Sequence, residues 1–73
     1  MPLSLASTGR CLKVVGVSGG TGCTRHLADM GIVPGAEIEL VCRQQRGPIL
    51  IDINGSRLAV GRGLAHRIMV KEE

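Results

Sequence analysis

The chain has 73 residues, so it is expected to form one small domain, which buries only a little over ~60% of the surface that its unfolded chain exposes. Its hydrophobic content of 44% includes no Phe, Tyr or Trp. That absence argues against the base-stacking surfaces of single-strand nucleic-acid binders and against aromatic grooves for proline-rich peptides. The formal net charge of +3 suits an acidic partner or phosphates, but the basic residues are scattered, and ordinary surface charge is the simpler interpretation.

The first predicted elements are a short lead, a strand and a loop. We expect Leu3 and Leu5 to cover one end of the core, and residues 10–17 to form a strand with one face inward. Residues 18–22 (SGGTG) are a predicted flexible loop that leads into a short helix. Thr21 is the expected helix cap, because its hydroxyl can accept a hydrogen bond from amides two or three residues further on.

The predicted helix is amphipathic. Its apolar stripe has the spacing i, i+4 and i+7 and consists of Cys23, Leu27 and Met30. The opposite, wetter face carries Arg25, His26 and Asp29. Gly31 suits the left-handed position just after a helix, and Ile32 would then pack back on the helix in a Schellman-type stop.

A turn and an alternating strand follow. Pro34 and Gly35 fit the central positions of a type II turn, which directs the chain into a strand over residues 36–42. The alternation in this strand places four residues on the inner face: Ala36, Ile38, Leu40 and Cys42. The outer face carries Glu37 and Glu39.

An isoleucine-rich hairpin comes next, after a polar connection over residues 43–47. Its predicted strands cover residues 48–54 and 56–60. The expected inward side chains are Ile49, Ile51, Ile53, Leu58 and Val60, with Asp52 outside. Asn54-Gly55 predicts a two-residue type I′ turn, because both central residues of that turn need a positive φ.

The C-terminal part completes a mainly β fold. Residues 61–67 contain too much glycine for a stable helix and are expected to form one helical or 3₁₀ turn. Residues 68–71 are expected to form the last strand, and the two residues after it are expected to be frayed. Five short strands, one inserted short helix and this turn favour a small five-stranded barrel, which hides its own edges. We expect residues 1–73 to be a single domain.

The cysteines and the N-terminal segment indicate a cellular location. Cys11, Cys23 and Cys42 are odd in number and form no CxxC motif, which argues against a disulfide framework and for a reducing compartment. Cys11 and Cys42 are expected to pack inside their strands. No signal peptide is visible and no apolar run approaches about 18 residues, so a cytoplasmic protein without membrane insertion is predicted.

Two stretches combine into a specific pattern that extends over the chain from Leu5 to Val70. They are RHLADMGIVPGAEIELV at 25–41 and PILIDINGSRLAVGRGLAHRIMV at 48–70. Their pattern positions are Arg25, Leu27, Met30, Gly31, Ile32, Pro34, Gly35, Pro48, Ile51, Gly55, Leu58, Ala59, Ala65, Ile68 and Val70. The pattern resembles the FeoA family of small cytosolic proteins attached to bacterial ferrous iron uptake. The resemblance implies an SH3-like barrel and a regulatory role through FeoB, the membrane permease with a cytosolic G-protein domain.

The candidate partner-binding face lies on the helix and on the connection after the second strand. Its members are Arg25, His26, Asp29, Arg43 and Arg46. Arginine tolerates desolvation and makes forked hydrogen bonds to carboxylates, so Arg25, Arg43 and Arg46 would suit an acidic patch on the permease. Solvated surface charges are the alternative for each of these residues. The sequence leaves homo-oligomerisation open.

A metal-binding carrier or sensor is the alternative function. Cys23 and His26 lie three apart on the helix, so both could reach one Fe²⁺ or Zn²⁺ ion. Two ligands do not complete a tetrahedral site, and a thiol that packs as a small hydrophobe is the simpler interpretation of Cys23. We therefore assign no cofactor to the chain, and Fe²⁺ or Zn²⁺ bound at this pair stays the alternative. His66 is expected to be a surface or capping residue.

Catalysis and nucleic-acid binding are not predicted. The segment GVSGGTGCT at 16–24 lacks the lysine of a phosphate-binding loop, and no G-x-G-x-x-G pattern passes through it. No serine has a histidine and an acid in a recognisable frame. A small RNA-binding barrel would fit the net charge but not the missing aromatic residues, so the chain is predicted to be a non-enzyme that works through its surface.

Overall fold

The computed structural model describes residues 1–44 and 46–73, and Gln45 of the predicted polar connection lies outside the described residues. A 3₁₀ turn at Leu3–Leu5 precedes seven elements. They are β1 (Cys11–Val17), α1 (Thr21–Asp29), β2 (Glu37–Arg43), β3 (Ile49–Ile53), β4 (Ser56–Val60), α2 (Arg62–Ala65) and β5 (Ile68–Glu72). The predicted five strands, inserted helix and helical turn before the last strand are confirmed.

The five strands form one antiparallel sheet in the order β4-β3-β2-β1-β5. The predicted closed barrel is wrong on one point, because β4 and β5 are the two edges of the sheet and do not pair with each other. The N-terminal segment occupies the outer edge of β5 instead. The Met1 amino group donates to the Val70 carbonyl at 2.9 Å, the Val70 amide donates to the Met1 carbonyl at 2.8 Å, and Pro2 bridges to Met69.

Helix α1 begins without a side-chain cap. Gly20 is the N-cap residue, with an extended backbone, and Thr21 is the first helical residue, so the predicted Thr21 cap is wrong. Thr24 bonds back to the Gly20 carbonyl through both its amide (3.1 Å) and its hydroxyl (3.3 Å). The helix therefore begins one residue earlier than the predicted Thr21 cap would place it.

The end of α1 is the predicted Schellman stop. Gly31 has a φ of 88°, its amide donates to the Ala28 carbonyl at 2.9 Å, and the Ile32 amide donates to the Leu27 carbonyl at 2.9 Å. Leu27 and Ile32, the pair whose apolar side chains accompany this motif, are both fully buried in the core. The following type II turn is also confirmed: the Ala36 amide donates to the Val33 carbonyl at 3.0 Å.

Strand β2 contains a bulge that changes which residues face the core. Leu40 pairs with Ile51, but Cys42 pairs with Leu50 and Arg43 pairs with Ile49, so Val41 is the extra residue. The prediction that Cys42 points inward is therefore wrong. The bulge instead turns Arg43 to the inner side of the sheet, beside the buried Ile49.

The hairpin between β3 and β4 has the predicted turn. Asn54 has a φ of 52° and Gly55 a φ of 80°, as a type I′ turn requires. The predicted inward isoleucines of β3 are buried, Val60 is buried, and Leu58 packs against the core while half-buried. This part of the alternation is confirmed.

The core consists of aliphatic side chains, and the described residues include no buried polar or charged side chain. Two predictions about which residues lie in the core are wrong, and so is the predicted fraying at Glu72. Leu3 is buried, but Leu5 on the same 3₁₀ turn is 66% exposed. Cys11 is exposed, because β1 buries its neighbours Leu12 and Val14 through the opposite face. Glu72 is not frayed, because it pairs with Leu12 as the last residue of β5.

Candidate functional site

A groove lies between the 3₁₀ turn, the end of β2 and α2. Its volume is about 620 Å³. Its lining residues are Ser4, Leu5, Arg43, Ile49, Arg62, Gly63, His66 and Arg67. We call it the arginine groove. None of its charged side chains is acidic.

Arg43 reaches this groove because of the bulge in β2. From the last position of that strand, its Nη1 donates to the carbonyls of Ser4 at 2.8 Å and Ala6 at 3.0 Å. A guanidinium carries five N–H donors, so this clamp on the N-terminal segment leaves further donors of Arg43 for a ligand. The same contact fixes the position of the wall that carries Leu5.

Arg62 holds the opposite wall. Its Nε donates to the Gly47 carbonyl at 3.2 Å, and its Nη2 donates to the Gln44 carbonyl. Arg62 is the first residue of α2, so these bonds tie that helix to the connection between β2 and β3. The guanidinium is thereby held at the groove in a defined orientation.

His66 and Arg67 complete the groove at the end of α2. His66 Nδ1 lies 3.2 Å from the Ser4 hydroxyl oxygen, within hydrogen-bond distance. The Arg67 carbonyl accepts from the Ser18 amide at 2.8 Å, and the Arg67 side chain lies over Gly19. This places Arg67 between the groove and the loop that precedes α1. His66 is exposed, as predicted.

The electrostatic character of the groove follows from its lining. Three guanidinium groups and one imidazole face it, and the described lining contains no carboxylate. The salt bridge found among the described residues joins Arg57 and Asp52 at 3.5 Å, and neither residue lines the groove. Concave sites lined by one sign of charge concentrate the field, so the arginine groove favours anionic groups.

The predicted partner-binding residues are all exposed, but they do not share this groove. Arg25, His26 and Asp29 lie along the exposed face of α1, and Arg46 lies in the connection before β3. Of the five predicted residues, Arg43 lines the arginine groove. The sequence interpretation missed Leu5, Arg62 and Arg67, because Leu5 lies far along the chain from the two arginines and no local pattern connects it with them.

The predicted metal pair lies on α1. Cys23 is half-buried and packs against the core, whereas His26 is exposed. Within residues 1–44 and 46–73, no group of three or more His, Cys, Asp or Glu side chains is placed to hold an ion. A metal bound to this pair would need ligands from water or from a second molecule.

A second, smaller cleft lies on the outer face of the sheet. It has a volume of about 210 Å³ and is lined by Cys11, Glu37, Ile38, Glu39, Asp52, Asn54 and Gly55. Its carboxylates lie on the wet face that the sequence alternation predicts, and Glu39 and Asp52 are cross-strand neighbours.

The described part of the chain contains no helix long and apolar enough to cross a bilayer.

Comparison with known proteins gives a consistent result. The family model described as "FeoA domain" matches residues 1–72. A Methanocaldococcus jannaschii protein provisionally named Fe(2+) transport protein A is 39% identical over 71 residues, which are 97% of this chain and 85% of that protein. A crystal structure of an iron uptake regulatory protein, FeoA, matches with a TM-score of 0.93 and 40% identity over 100% of this chain and 97% of that chain.

A third relative connects the fold to the SH3 class and to zinc. The Stenotrophomonas maltophilia FeoA, described as a prokaryotic SH3 domain protein complexed with zinc, matches with a TM-score of 0.81 and 25% identity. The match covers 97% of this chain and 89% of that chain. The predicted SH3-like fold is confirmed, with the sheet open between β4 and β5.

Proposed function

This chain belongs to the FeoA family of ferrous iron transport accessory proteins, and from that premise we propose that it acts in the cytosol by binding a FeoB-type permease. We propose further that residues 1–73 act as a single domain in this role. The proposal assigns no catalytic step to the chain, no contact with nucleic acid and no insertion into the membrane.

The observation that carries the proposal is where the charged side chains lie. The described core is wholly aliphatic, and the charged residues are exposed around it. The arginine groove and the exposed face of α1 offer positive and mixed-charge surfaces to an acidic patch on another protein. The proposed contact residues therefore remain Arg25, His26, Asp29, Arg43 and Arg46.

Calorimetric titration against the cytosolic part of a FeoB-type permease tests this function. We expect saturable binding in the micromolar range, which is typical of transient regulatory contacts of modest area. The titration is run with and without guanine nucleotide. Arg25→Gln removes a positive charge from the proposed contact face on α1 and should weaken binding. Lys71→Gln removes the same charge from the end of β5, outside the proposed contact residues, and is the control. Absence of heat at concentrations well above micromolar, in every nucleotide state, would contradict the proposal.

Transition-metal binding through Cys23 and His26 is the second candidate. It is supported by the zinc complex of the S. maltophilia relative and by the placement of both side chains on one helix. Because Cys23 also packs on the core, the cleaner variant is His26→Gln, whose side chain is exposed. The matched control is His66→Gln, which removes an exposed imidazole elsewhere.

Equilibrium dialysis against Fe²⁺ or Zn²⁺ separates these variants. If the pair binds metal, His26→Gln and Cys23→Ala should each lower retention about 10-fold or more, because a lost ligand weakens a metal site strongly. His66→Gln should retain metal as the unmodified chain does. Equal retention by all four proteins would rule out this pair as the site.

A further inference from the structure

We propose that the arginine groove is the docking site for an extended acidic segment of the partner protein. In this arrangement the carboxylates of the segment lie at Arg43, Arg62 and Arg67, and one of its apolar side chains lies on Leu5. The inference deepens the proposed function and rests on its premise that the chain works by protein contact. It names the groove, which Arg43 of the proposed contact residues lines, as the place where this segment binds.

The charges of the groove complement those of an acidic segment. The described lining brings Arg43 at the end of β2 together with two arginines and one histidine at α2, and it contains no acidic residue. The acidic residues of the sequence lie elsewhere: Asp29, Glu37, Glu39, Asp52, Glu72 and Glu73. Grouping like charges in a groove costs stability unless a ligand of opposite charge binds there, and guanidinium groups match carboxylates in forked geometry.

Two of the guanidinium groups in the groove are already held in place. Arg43 is anchored on the Ser4 and Ala6 carbonyls, and Arg62 is anchored on the Gly47 and Gln44 carbonyls. A flexible arginine loses side-chain entropy when it orders on a ligand, whereas these two have lost part of it on folding. Their remaining N–H groups therefore bind an anion at lower entropic cost.

The groove also offers an apolar surface, which restricts the class of ligand. Leu5 is 66% exposed at the rim of a groove of about 620 Å³, so the site combines an apolar surface with its cations. A segment with alternating acidic and apolar residues fits both features. A single-stranded nucleic acid fits them less well, because the chain has no aromatic residue on which a base could stack.

Fluorescence anisotropy with two labelled peptides tests the charge requirement. One peptide alternates Glu and Leu, and the other replaces every Glu by Gln at the same length. We expect the acidic peptide to bind at least about 10-fold more tightly at low salt and to lose that advantage as ionic strength rises. Equal affinity for the two peptides would overturn the inference. A single-stranded oligonucleotide that binds more tightly than the acidic peptide would overturn it as well.

Two variants locate the site. Arg67 makes no side-chain hydrogen bond among the described contacts, so Arg67→Gln removes a groove charge without cutting a clamp, and Leu5→Ser removes the exposed apolar surface. We expect each to weaken the acidic peptide about 5-fold or more, consistent with the loss of one charged or apolar contact. The control is Arg10→Gln, the same charge change at an exposed residue outside the groove.

The outcomes separate this inference from the proposed function. Unchanged binding in both Arg67→Gln and Leu5→Ser, or an equal loss in Arg10→Gln, would overturn the groove assignment. If the permease fragment binds the unmodified protein and Arg67→Gln equally, the assignment of the groove as the docking site is wrong and the proposed partner stands. If the acidic peptide binds in the groove but the permease fragment does not bind, the groove stands and the proposed partner is wrong.

Discussion

At the scale of single residues, the stop of α1 depends on the absence of a side chain at Gly31. Its φ of 88° lies in the left-handed region, and both hydrogen bonds of the Schellman motif depend on that conformation. A Cβ at this position would lie 3.5 Å from Ile53 Cδ1, an ordinary contact. The constraint on Gly31 is therefore backbone conformation rather than space.

Gly31→Ala should lower the free energy of unfolding by about 1–2 kcal/mol, because an L-residue is strained in the left-handed region. Urea unfolding followed by circular dichroism measures the change. Gly22→Ala is the matched control: Gly22 is exposed in the first turn of α1, and its added methyl group meets nothing within 4 Å. This control should be neutral or stabilising by up to about 1 kcal/mol. An equal loss of stability in both variants would show that the left-handed conformation at Gly31 does not cause the loss.

At the scale of elements, two arginines connect segments that lie far apart in the sequence. Arg43 joins the end of β2 to the N-terminal 3₁₀ turn, and Arg62 joins α2 to the connection between β2 and β3. The 3₁₀ turn also packs against α2 and β5. These two clamps therefore help to hold the walls of the arginine groove in place.

Arg43→Gln should loosen the N-terminal wall. Its loss removes two charge-assisted hydrogen bonds to carbonyls, so we expect the free energy of unfolding to fall by about 1–3 kcal/mol. Hydrogen exchange should quicken at the Ala6 amide, which donates to the Leu3 carbonyl. In the control Arg57→Gln, loss of the exposed ion pair with Asp52 should cost less than about 1 kcal/mol. Unchanged exchange at Ala6 in Arg43→Gln would contradict the clamp.

At the scale of the whole molecule, a small aliphatic core leaves a narrow margin of stability. A chain of 73 residues buries a limited fraction of its surface, and no aromatic side chain contributes to its core. Each fully buried leucine therefore supplies a large share of a total that is typically only about 5–15 kcal/mol. Leu27 is such a residue, and it attaches α1 to the sheet.

Leu27→Ala should cost about 2–5 kcal/mol, because it leaves a cavity in a core that can close only in part. In a domain of this size, such a loss lowers the melting temperature by about 10 °C or more. Thermal denaturation measures it, with Leu5→Ala as the control, since 66% exposure of Leu5 predicts almost no change. A fall of only a few degrees in Leu27→Ala would mean that α1 contributes little to the core.

The sequence by itself determined the features that depend on neighbouring residues. The alternation in β3, the Asn54-Gly55 turn and the stop at Gly31 follow from local periodicity and from backbone preferences that only a few residue types satisfy. The family resemblance was visible for the same reason, because its pattern consists largely of these turns and inward positions. The exposed face of α1 was likewise determined by the 3.6-residue period of the helix.

Only the tertiary structure decided where the groove lies and which residues line it. One extra residue in β2 moved Cys42 off the inner face and brought Arg43 to Ser4 and Ala6, and a bulge of this kind depends on the partner strand rather than on the sequence of β2 alone. The N-terminal segment took the edge of β5 that a closed barrel would have given to β4. Leu5 meets Arg62 and Arg67 because the fold brings the N-terminal segment to α2, and no local pattern encodes that contact.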